Sequence, residues 1–135
     1  MAVTYSSSLK TSRMQLVADL IASKTAAAST GTATAGNLVI GTSALSGATG
    51  VLATLPLNAT PGTVSGSVLT LNASGVTASA SATGTAALAE LRNNAGTVIV
   101  SGLTVGTSGT DIIINSTSIS SGQTVTLTSG TITHG

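Results

Sequence analysis

The sequence contains no cysteine, tryptophan or phenylalanine, and Tyr5 is its single tyrosine. Without thiols the chain holds no disulfide, no thiolate metal site and no cysteine nucleophile. One aromatic ring offers no platform on which bases stack, and a formal net charge of +1 gives no positive surface for a phosphate backbone. We therefore expect no nucleic-acid partner.

Charged residues are scarce throughout the chain. Asp, Glu, Lys and Arg make up 5% of its 135 residues, against about 25% in ordinary soluble domains. No residue from 25 to 89 ionises near neutral pH, although general acid–base catalysis requires such a side chain. The remaining candidates for catalysis or metal binding are Asp19, Glu90, Asp111 and His134. Their spacing does not match a catalytic triad or a metal site. We therefore expect no enzyme, with no catalytic, cofactor-binding or metal-binding residue and no small-molecule substrate.

Small residues dominate the composition. The chain has 25 Thr, 20 Ser, 20 Ala and 16 Gly, and its mean hydropathy is +0.54. It has no run of about 18 apolar residues, so we expect no membrane span. An exterior of hydroxyls and methyls has little charge repulsion to keep copies apart. We expect the chain to work in a larger assembly that includes copies of itself.

The pattern over residues 8–24 predicts an amphipathic helix. Either Ser8 or the pair Ser12 and Gln15 is suited to its N-terminal cap. The apolar stripe recurs at spacings of three, four and seven: Leu9, Leu16, Val17, Leu20 and Ile21. The stripe either packs within the chain or docks on a partner. Its last four members are therefore candidate interface residues.

The chain divides after residue 36. Residues 1–36 combine the helix with a small-residue connector, which is long enough to serve as an arm. Residues 37–135 follow a period of two and are punctuated by Gly, Pro and Asn, which is typical of strands and turns. The extended segments are predicted at 38–41, 51–57, 64–71, 76–92 with an interruption, 97–105, 112–115 and 124–133, with a short one near Ile119.

Local signals in this second part favour a particular fold. Residues 93–96, Asn-Asn-Ala-Gly, predict a hairpin turn, and Pro56 predicts an edge or irregular strand. The apolar phase changes at Gly84, Gly102 and Gly130, as it does where a strand carries a bulge or turns a corner. These features predict a mainly β domain, an antiparallel β-sandwich or jelly roll, preceded by one helix.

Two further features have competing interpretations. Glu90 and Arg92 lie two residues apart on a predicted strand, either as a surface ion pair or as a contact to a neighbouring subunit. The Thr-x-Thr runs at 124–128 and 131–133 fit the outward face of a strand. An ice-binding row would need a repeat that the sequence lacks.

The segments AVTYSSSLKTSRMQLVADLIAS and AALAELRNNAGTVIVSGLTVGTSGTDIIINSTSISSGQTVTLTSGTITHG resemble small structural proteins of tailed bacteriophages. These are capsid decoration (cement) proteins or fibre-like modules. The resemblance implies a non-enzymatic virion protein on the head surface that binds the major capsid protein and stabilises the shell, as a homotrimer or another symmetric oligomer. It carries no catalytic or ligand residue.

Two other functions remain open at this point. A tail or fibre module would contact the host surface through hydroxyl-rich loops. A secreted bacterial surface or adhesin domain would lose its N-terminal segment as a signal peptide.

Overall fold

Alternating apolar and hydroxyl residues form strands over most of the chain in the computed structural model. The structure describes residues 6–22, 36–58, 62–66 and 68–133. These described residues contain one helix, α1 (Ser7–Ile21). The strands are β1 (Asn37–Ser46), β2 (Thr49–Pro56), β3 (Gly62–Ser65), β4 (Val68–Leu71), β5 (Thr77–Ser79), β6 (Gly84–Thr85), β7 (Leu88–Arg92), β8 (Val98–Gly106), β9 (Ile112–Ile114), β10 (Ser118–Ile119) and β11 (Thr124–Thr133). The predicted fold class, mainly β with one N-terminal helix, is confirmed.

The strands form a β-sandwich-like arrangement. The main sheet has the order β2-β1-β7-β8-β9-β11-β4-β3, with β5 also paired to β11, and β10 pairs with β6 separately. Strands β2 and β5 contact each other from distant parts of this order, and the Ser81 N–H donates to the Leu52 carbonyl at 2.8 Å. The sheet therefore folds back on itself. One pair, β8 with β9, is parallel, so the sheet is mixed where we expected purely antiparallel strands.

The core lies between the two halves of the folded sheet. Residues paired across neighbouring strands point to the same face, as do Leu38, Leu55 and Leu91. All three are 0% exposed. From the other half, Val125 and Leu127 of β11 are buried with them in one cluster. Burial of these aliphatic side chains is the main source of stability for a chain with so few aromatic rings.

The predicted turn at residues 93–96 joins β7 to β8, as expected. The Asn93 N–H donates to the Thr97 carbonyl at 3.0 Å, and the Thr97 N–H donates to Asn93 Oδ1 at 2.9 Å. The prediction for Pro56 is also confirmed, because it ends β2, which lies at one edge of the sheet.

The phase change predicted at Gly102 occurs beside that glycine, and the one predicted at Gly130 occurs just before it. Gly102 has a φ of +72°, and the pairing of β7 with β8 shifts register beside it. Gly130 is buried, and β11 shifts register against β9 between Leu127 and Ser129. The change predicted at Gly84 occurs about two residues later. Ala86 and Ala89 are successive buried positions, and their spacing breaks the period of two after Ala86.

Several strand boundaries differ from the predictions. The segment 64–71 is a hairpin of β3 and β4 with a turn at Gly66, whose φ is +60°. The segment 76–92 is interrupted twice, giving β5, β6 and β7. The first strand continues from Gly41 to Ser46 as part of a long hairpin. A short strand at Ile119 is confirmed.

The helix ends earlier than predicted and has a different cap. It covers Ser7–Ile21, and the Ser6 hydroxyl accepts from the Leu9 N–H at 3.2 Å. Ser6 is therefore the N-terminal cap. Ser12 lies inside the helix, so both predicted caps, Ser8 and the pair Ser12 and Gln15, are wrong. Lys24, the last residue of the predicted helix, lies outside the described residues.

The buried face of α1 differs from the predicted stripe. The helix packs against β3, β4 and β8 through Met14, Ala18 and Ile21, which are 1%, 5% and 0% exposed. Leu16 and Leu20, counted in the stripe, face outward. Apolar residues surround most of this helix, so periodicity alone did not define which side is buried.

Candidate interaction surfaces

Most charged side chains are withdrawn from the surface. The structure describes six charged residues, and of these Asp111 alone is exposed. Asp19 and Glu90 are buried, at 3% and 8% exposure, while Lys10, Arg13 and Arg92 are half-buried. The described residues therefore expose few charged side chains, and their surface carries little charge.

Glu90 and Arg92 form a partly buried ion pair. Glu90 Oε2 accepts from Arg92 Nη2 at 2.7 Å and from Nε at 3.1 Å, and the Arg92 side chain is 16% exposed. The same Nη2 donates to the Gly47 carbonyl at 2.8 Å. The ion pair of the first interpretation is therefore present, but both groups are largely shielded from solvent, and the Gly47 carbonyl is a third partner.

The hydrogen bond from Arg92 to the Gly47 carbonyl shows that the β1–β2 hairpin bends back over the sheet. Arg92 pairs with Asn37 at the start of β1, whereas Gly47 follows the end of that strand. Ten extended residues span about 33 Å, far beyond the reach of one arginine. A register shift between Gly41 and Ser46 provides the bend. We call residues 42–50 the returning hairpin end, and the Gly47 carbonyl at its tip lies against the Arg92 side chain.

The other described carboxylates are held separately. Asp19 Oδ1 accepts from Gln15 Nε2 at 3.1 Å, one helical turn away. Asp111 Oδ2 accepts from the Thr104 N–H at 3.1 Å and from its hydroxyl at 3.0 Å. The three carboxylates therefore lie in three unconnected places. The described residues contain no group of three or more His, Cys, Asp or Glu side chains arranged to hold a metal.

A small cleft lies beside the β3–β4 hairpin. Its volume is about 220 Å³, and its lining is Gly62, Thr63, Thr70, Leu71 and Asn72. Sites for drug-sized ligands are commonly about 300–1,000 Å³, and no charged side chain lines this one. Within the described ranges, no helix is long and apolar enough to cross a membrane.

Hydroxyl side chains from four strands share one face, which we call the Thr/Ser face. Thr63, Thr70 and Thr131 pair in a row across β3, β4 and β11. A second row joins Thr77 to Thr126, whose hydroxyl oxygens are 3.2 Å apart. The face consists of exposed residues: Thr63, Thr70, Thr77, Ser79, Thr124, Thr126 and Thr131. The four strands contain no charged residue.

A second surface lies on α1, and we call it the leucine line. It consists of Leu9, Leu16 and Leu20, which are 42%, 36% and 40% exposed. Successive helical residues are about 100° apart, which places these three within about 40° of one another. Leu16 lies about 200° from Met14, so the leucine line is opposite the buried face.

The β2 edge is poorly suited to pairing with another strand. Pro56 has no N–H to donate, and the Leu52 carbonyl already accepts from the Ser81 N–H at 2.8 Å. This edge is therefore protected against strand addition.

The six predicted interface residues do not form one surface. Leu16 and Leu20 lie in the leucine line, whereas Ile21 is fully buried within the chain and Val17 packs partly against the core. Glu90 and Arg92 are withdrawn beneath the returning hairpin end. The sequence interpretation missed the Thr/Ser face as an aligned surface, although the Thr-x-Thr runs were its signal. Tyr5 and His134 lie outside the described residues.

The chain matches no protein-family model, no curated protein and no solved structure. Its own surfaces and its sequence therefore carry the functional argument.

Proposed function

We propose that the chain is a non-enzymatic structural protein of a tailed-phage particle, which decorates the head by binding the major capsid protein and strengthens the shell. The resemblance of its two sequence segments to phage structural proteins supports this function. The near absence of exposed charge supports it independently.

The single observation that carries the proposal is the ion-poor exterior. Ordinary domains keep copies apart with exposed charge, whereas the buried centres of stable interfaces are depleted in charged residues. Here the sheet residues 36–133 contain only three charged side chains. Two of them neutralise each other in the Glu90–Arg92 pair. Such a surface is suited to lasting contact with other protein.

We assign the shell contact to the Thr/Ser face. Threonine is stiff about its first side-chain bond, so ordering it against a partner costs little conformational entropy. Each residue offers a methyl group for packing and a hydroxyl for hydrogen bonding. The cross-strand rows hold these groups on a regular backbone, and the four strands themselves carry no charge that would have to be desolvated when the face is covered.

Repetition would make a modest contact sufficient. A specific interface needs about 800 Å² on each partner, and area alone does not set affinity. On a symmetric shell, neighbouring copies that touch one another convert separate contacts into a multivalent one. A decorated head then resists opening because many such contacts must break together.

The test uses particles grown from the genome that encodes this chain, with and without an intact coding sequence. We expect intact particles to contain many copies by quantitative mass spectrometry. Particles lacking the chain should release DNA at a lower temperature. Added purified chain should restore the release temperature.

Two variants connect the result to the assigned face. Thr70→Lys places an unpaired charge at the centre of the Thr63–Thr70–Thr131 row of the Thr/Ser face and should abolish restoration. Ser108→Lys adds the same charge in the exposed loop between β8 and β9 and should restore fully. Absence of the chain from purified particles would overturn the proposal, and so would equal heat resistance with and without it.

A further inference from the structure

We propose that the returning hairpin end is a hinged cover, which opens and closes on the outer face of the sheet while the core stays folded. Its opening exposes Val39 and the Glu90–Arg92 pair to solvent. The proposal concerns the chain by itself and does not depend on the virion function.

Val39 is buried on the face of the sheet that points away from the core. Its neighbour Leu38 faces the core, and successive strand residues point to opposite faces. Val39 is nevertheless only 2% exposed, although it lies outside the core cluster that contains Leu38 and Ile40. Its partner on β7 is Glu90, which is 8% exposed on the same face. A part of the chain other than the core therefore covers this pair.

The returning hairpin end supplies that cover. A Cβ on Gly41 would lie 2.6 Å from Leu45 Cδ1, so the Leu45 side chain lies on the backbone two residues after Val39. On the other side of Val39, the Gly47 carbonyl accepts from Arg92 Nη2 at 2.8 Å. Arg92 pairs with the residue two positions before Val39. The segment from Leu45 to Gly47 therefore crosses the outer face above Val39.

The base of the returning hairpin end has the features of a hinge. Pairing of β1 with β7 ends at Gly41. The register shift that follows leaves residues 42–45 opposite Gly50 alone. Gly50 has a φ of +74°, a conformation that glycine adopts without strain. The returning hairpin end can therefore rotate about Gly41 and Gly50 while the ladder between β1 and β7 stays intact.

The contacts that hold the cover closed are light compared with those of the core. Six of its nine residues (43, 44 and 46–49) are exposed, and Leu45 is half-buried. Its link to Arg92 is a single hydrogen bond from Nη2 to the Gly47 carbonyl. Segments with few buried contacts open at a lower free energy than the whole fold. The cover should therefore open many times for each global unfolding event.

Opening changes the chemistry of this face. Glu90 and Arg92 are the charged residues of the range 36–110, and the returning hairpin end itself carries no charge. The closed form shields both charged groups, whereas the open form presents them beside the apolar side chain of Val39. Arg92 Nη2 can then donate to another acceptor in place of the Gly47 carbonyl. The cover therefore switches this face between an uncharged and a charged state.

Thiol labelling tests the proposal, because the chain has no native cysteine. Val39→Cys places a thiol beneath the cover. Val125→Cys places one in the core, where Val125 is 0% exposed, and Ser108→Cys gives the rate of an exposed thiol. With a thiol reagent under native conditions, Val39→Cys should react about tenfold or more faster than Val125→Cys. It should also react far more slowly than Ser108→Cys.

Urea separates local opening from global unfolding. Global unfolding exposes much surface and responds steeply to urea, whereas the opening of nine residues exposes little. The labelling rate of Val39→Cys should therefore stay nearly constant at low urea, while that of Val125→Cys rises. Leu45→Cys is a second reporter, on the cover itself, and should show the same shallow dependence.

A matched pair of variants tests the contact that closes the cover. Leu45→Ala removes the side chain that lies on Gly41 and should accelerate labelling of Val39→Cys by about tenfold. Ser43→Ala, at an exposed position of the same segment, should leave the rate unchanged. Equal rates and equal urea dependence for Val39→Cys and Val125→Cys would overturn the proposal, because the site would then open only by global unfolding. A Val39→Cys rate equal to that of Ser108→Cys would also overturn it, because nothing would then cover the site.

Discussion

The Arg92 guanidinium donates to the Gly47 carbonyl at 2.8 Å, across 45 residues of sequence. Arg92 is the last residue of β7, an inner strand of the sheet, and Gly47 lies at the tip of a hairpin that begins beside it. The contact therefore holds the returning hairpin end against its own sheet. It also explains why Glu90, which bonds the same guanidinium, is only 8% exposed.

Arg92→Ala should destabilise the fold by about 2–3 kcal/mol, because it leaves the buried Glu90 carboxylate without its partner. Urea denaturation measures the loss. Adding Glu90→Gln to the variant should recover part of it, because the unpaired charge is then gone. Additive losses in this double-mutant cycle would contradict the coupling.

Met14→Ala and Leu16→Ala compare the two faces of α1. Met14 is 1% exposed and Leu16 is 36% exposed. The first change should cost about 2–4 kcal/mol through lost burial and a cavity, and the second less than about 1 kcal/mol. Thermal unfolding at low protein concentration checks both. Equal costs would contradict packing through the Met14 face, and a larger cost at Leu16 would show that the helix packs by the other face.

Local sequence signals predicted local structure well. The Asn-Asn-Ala-Gly turn, the edge position of Pro56 and the bulge at Gly102 each depend on the conformations open to one or two residues. These backbone preferences depend on a few neighbouring residues, so the sequence alone predicts them. The alternation of apolar and hydroxyl residues likewise predicted a mainly β fold with one helix.

Features that depend on distant residues were not predictable in the same way. The burial of Glu90 follows from the hairpin bend near Gly41, and its sequence neighbours give no sign of it. The buried face of α1 was ambiguous because apolar residues surround most of the helix, and the predicted stripe combined Leu16, which is exposed, with Ile21, which is buried. The Thr/Ser face required the pairing of β3, β4, β5 and β11, which periodicity does not specify.

Two glycines should respond differently to substitution by alanine. A Cβ on Gly36 would clash with the Arg92 carbonyl oxygen and lie 2.6 Å from that of Ile21, whereas a Cβ on Gly102 would meet nothing within 4 Å. Gly36→Ala should cost about 3 kcal/mol through forced backbone movement. Gly102→Ala should cost about 1 kcal/mol, from its positive φ alone.

Asparagine distinguishes the two mechanisms, since it tolerates a positive φ better than alanine. Gly102→Asn should be milder than Gly102→Ala, and Gly36→Asn should be no milder than Gly36→Ala. Denaturation midpoints of the four variants provide the comparison. Rescue by asparagine at Gly36 would contradict the close-approach explanation.

Asn115 extends the pairing of β9 with β11 through its side chain. Its Nδ2 donates to the Thr124 carbonyl at 3.2 Å, and its Oδ1 accepts from the Thr126 N–H at 3.0 Å. Asn115→Ala should cost about 1 kcal/mol and accelerate hydrogen exchange at the Thr126 amide. Asn115→Asp keeps the acceptor, so that amide should stay protected. Equal exchange in both variants would contradict the role of Oδ1.

The most direct measurement of the central claim is an image of the phage particle at a resolution that locates this chain. We expect repeated density for the sheet domain on the head, with the Thr/Ser face covered by the shell protein. A chain located on the tail, absent from the particle, or bound with the Thr/Ser face open to solvent would contradict the account.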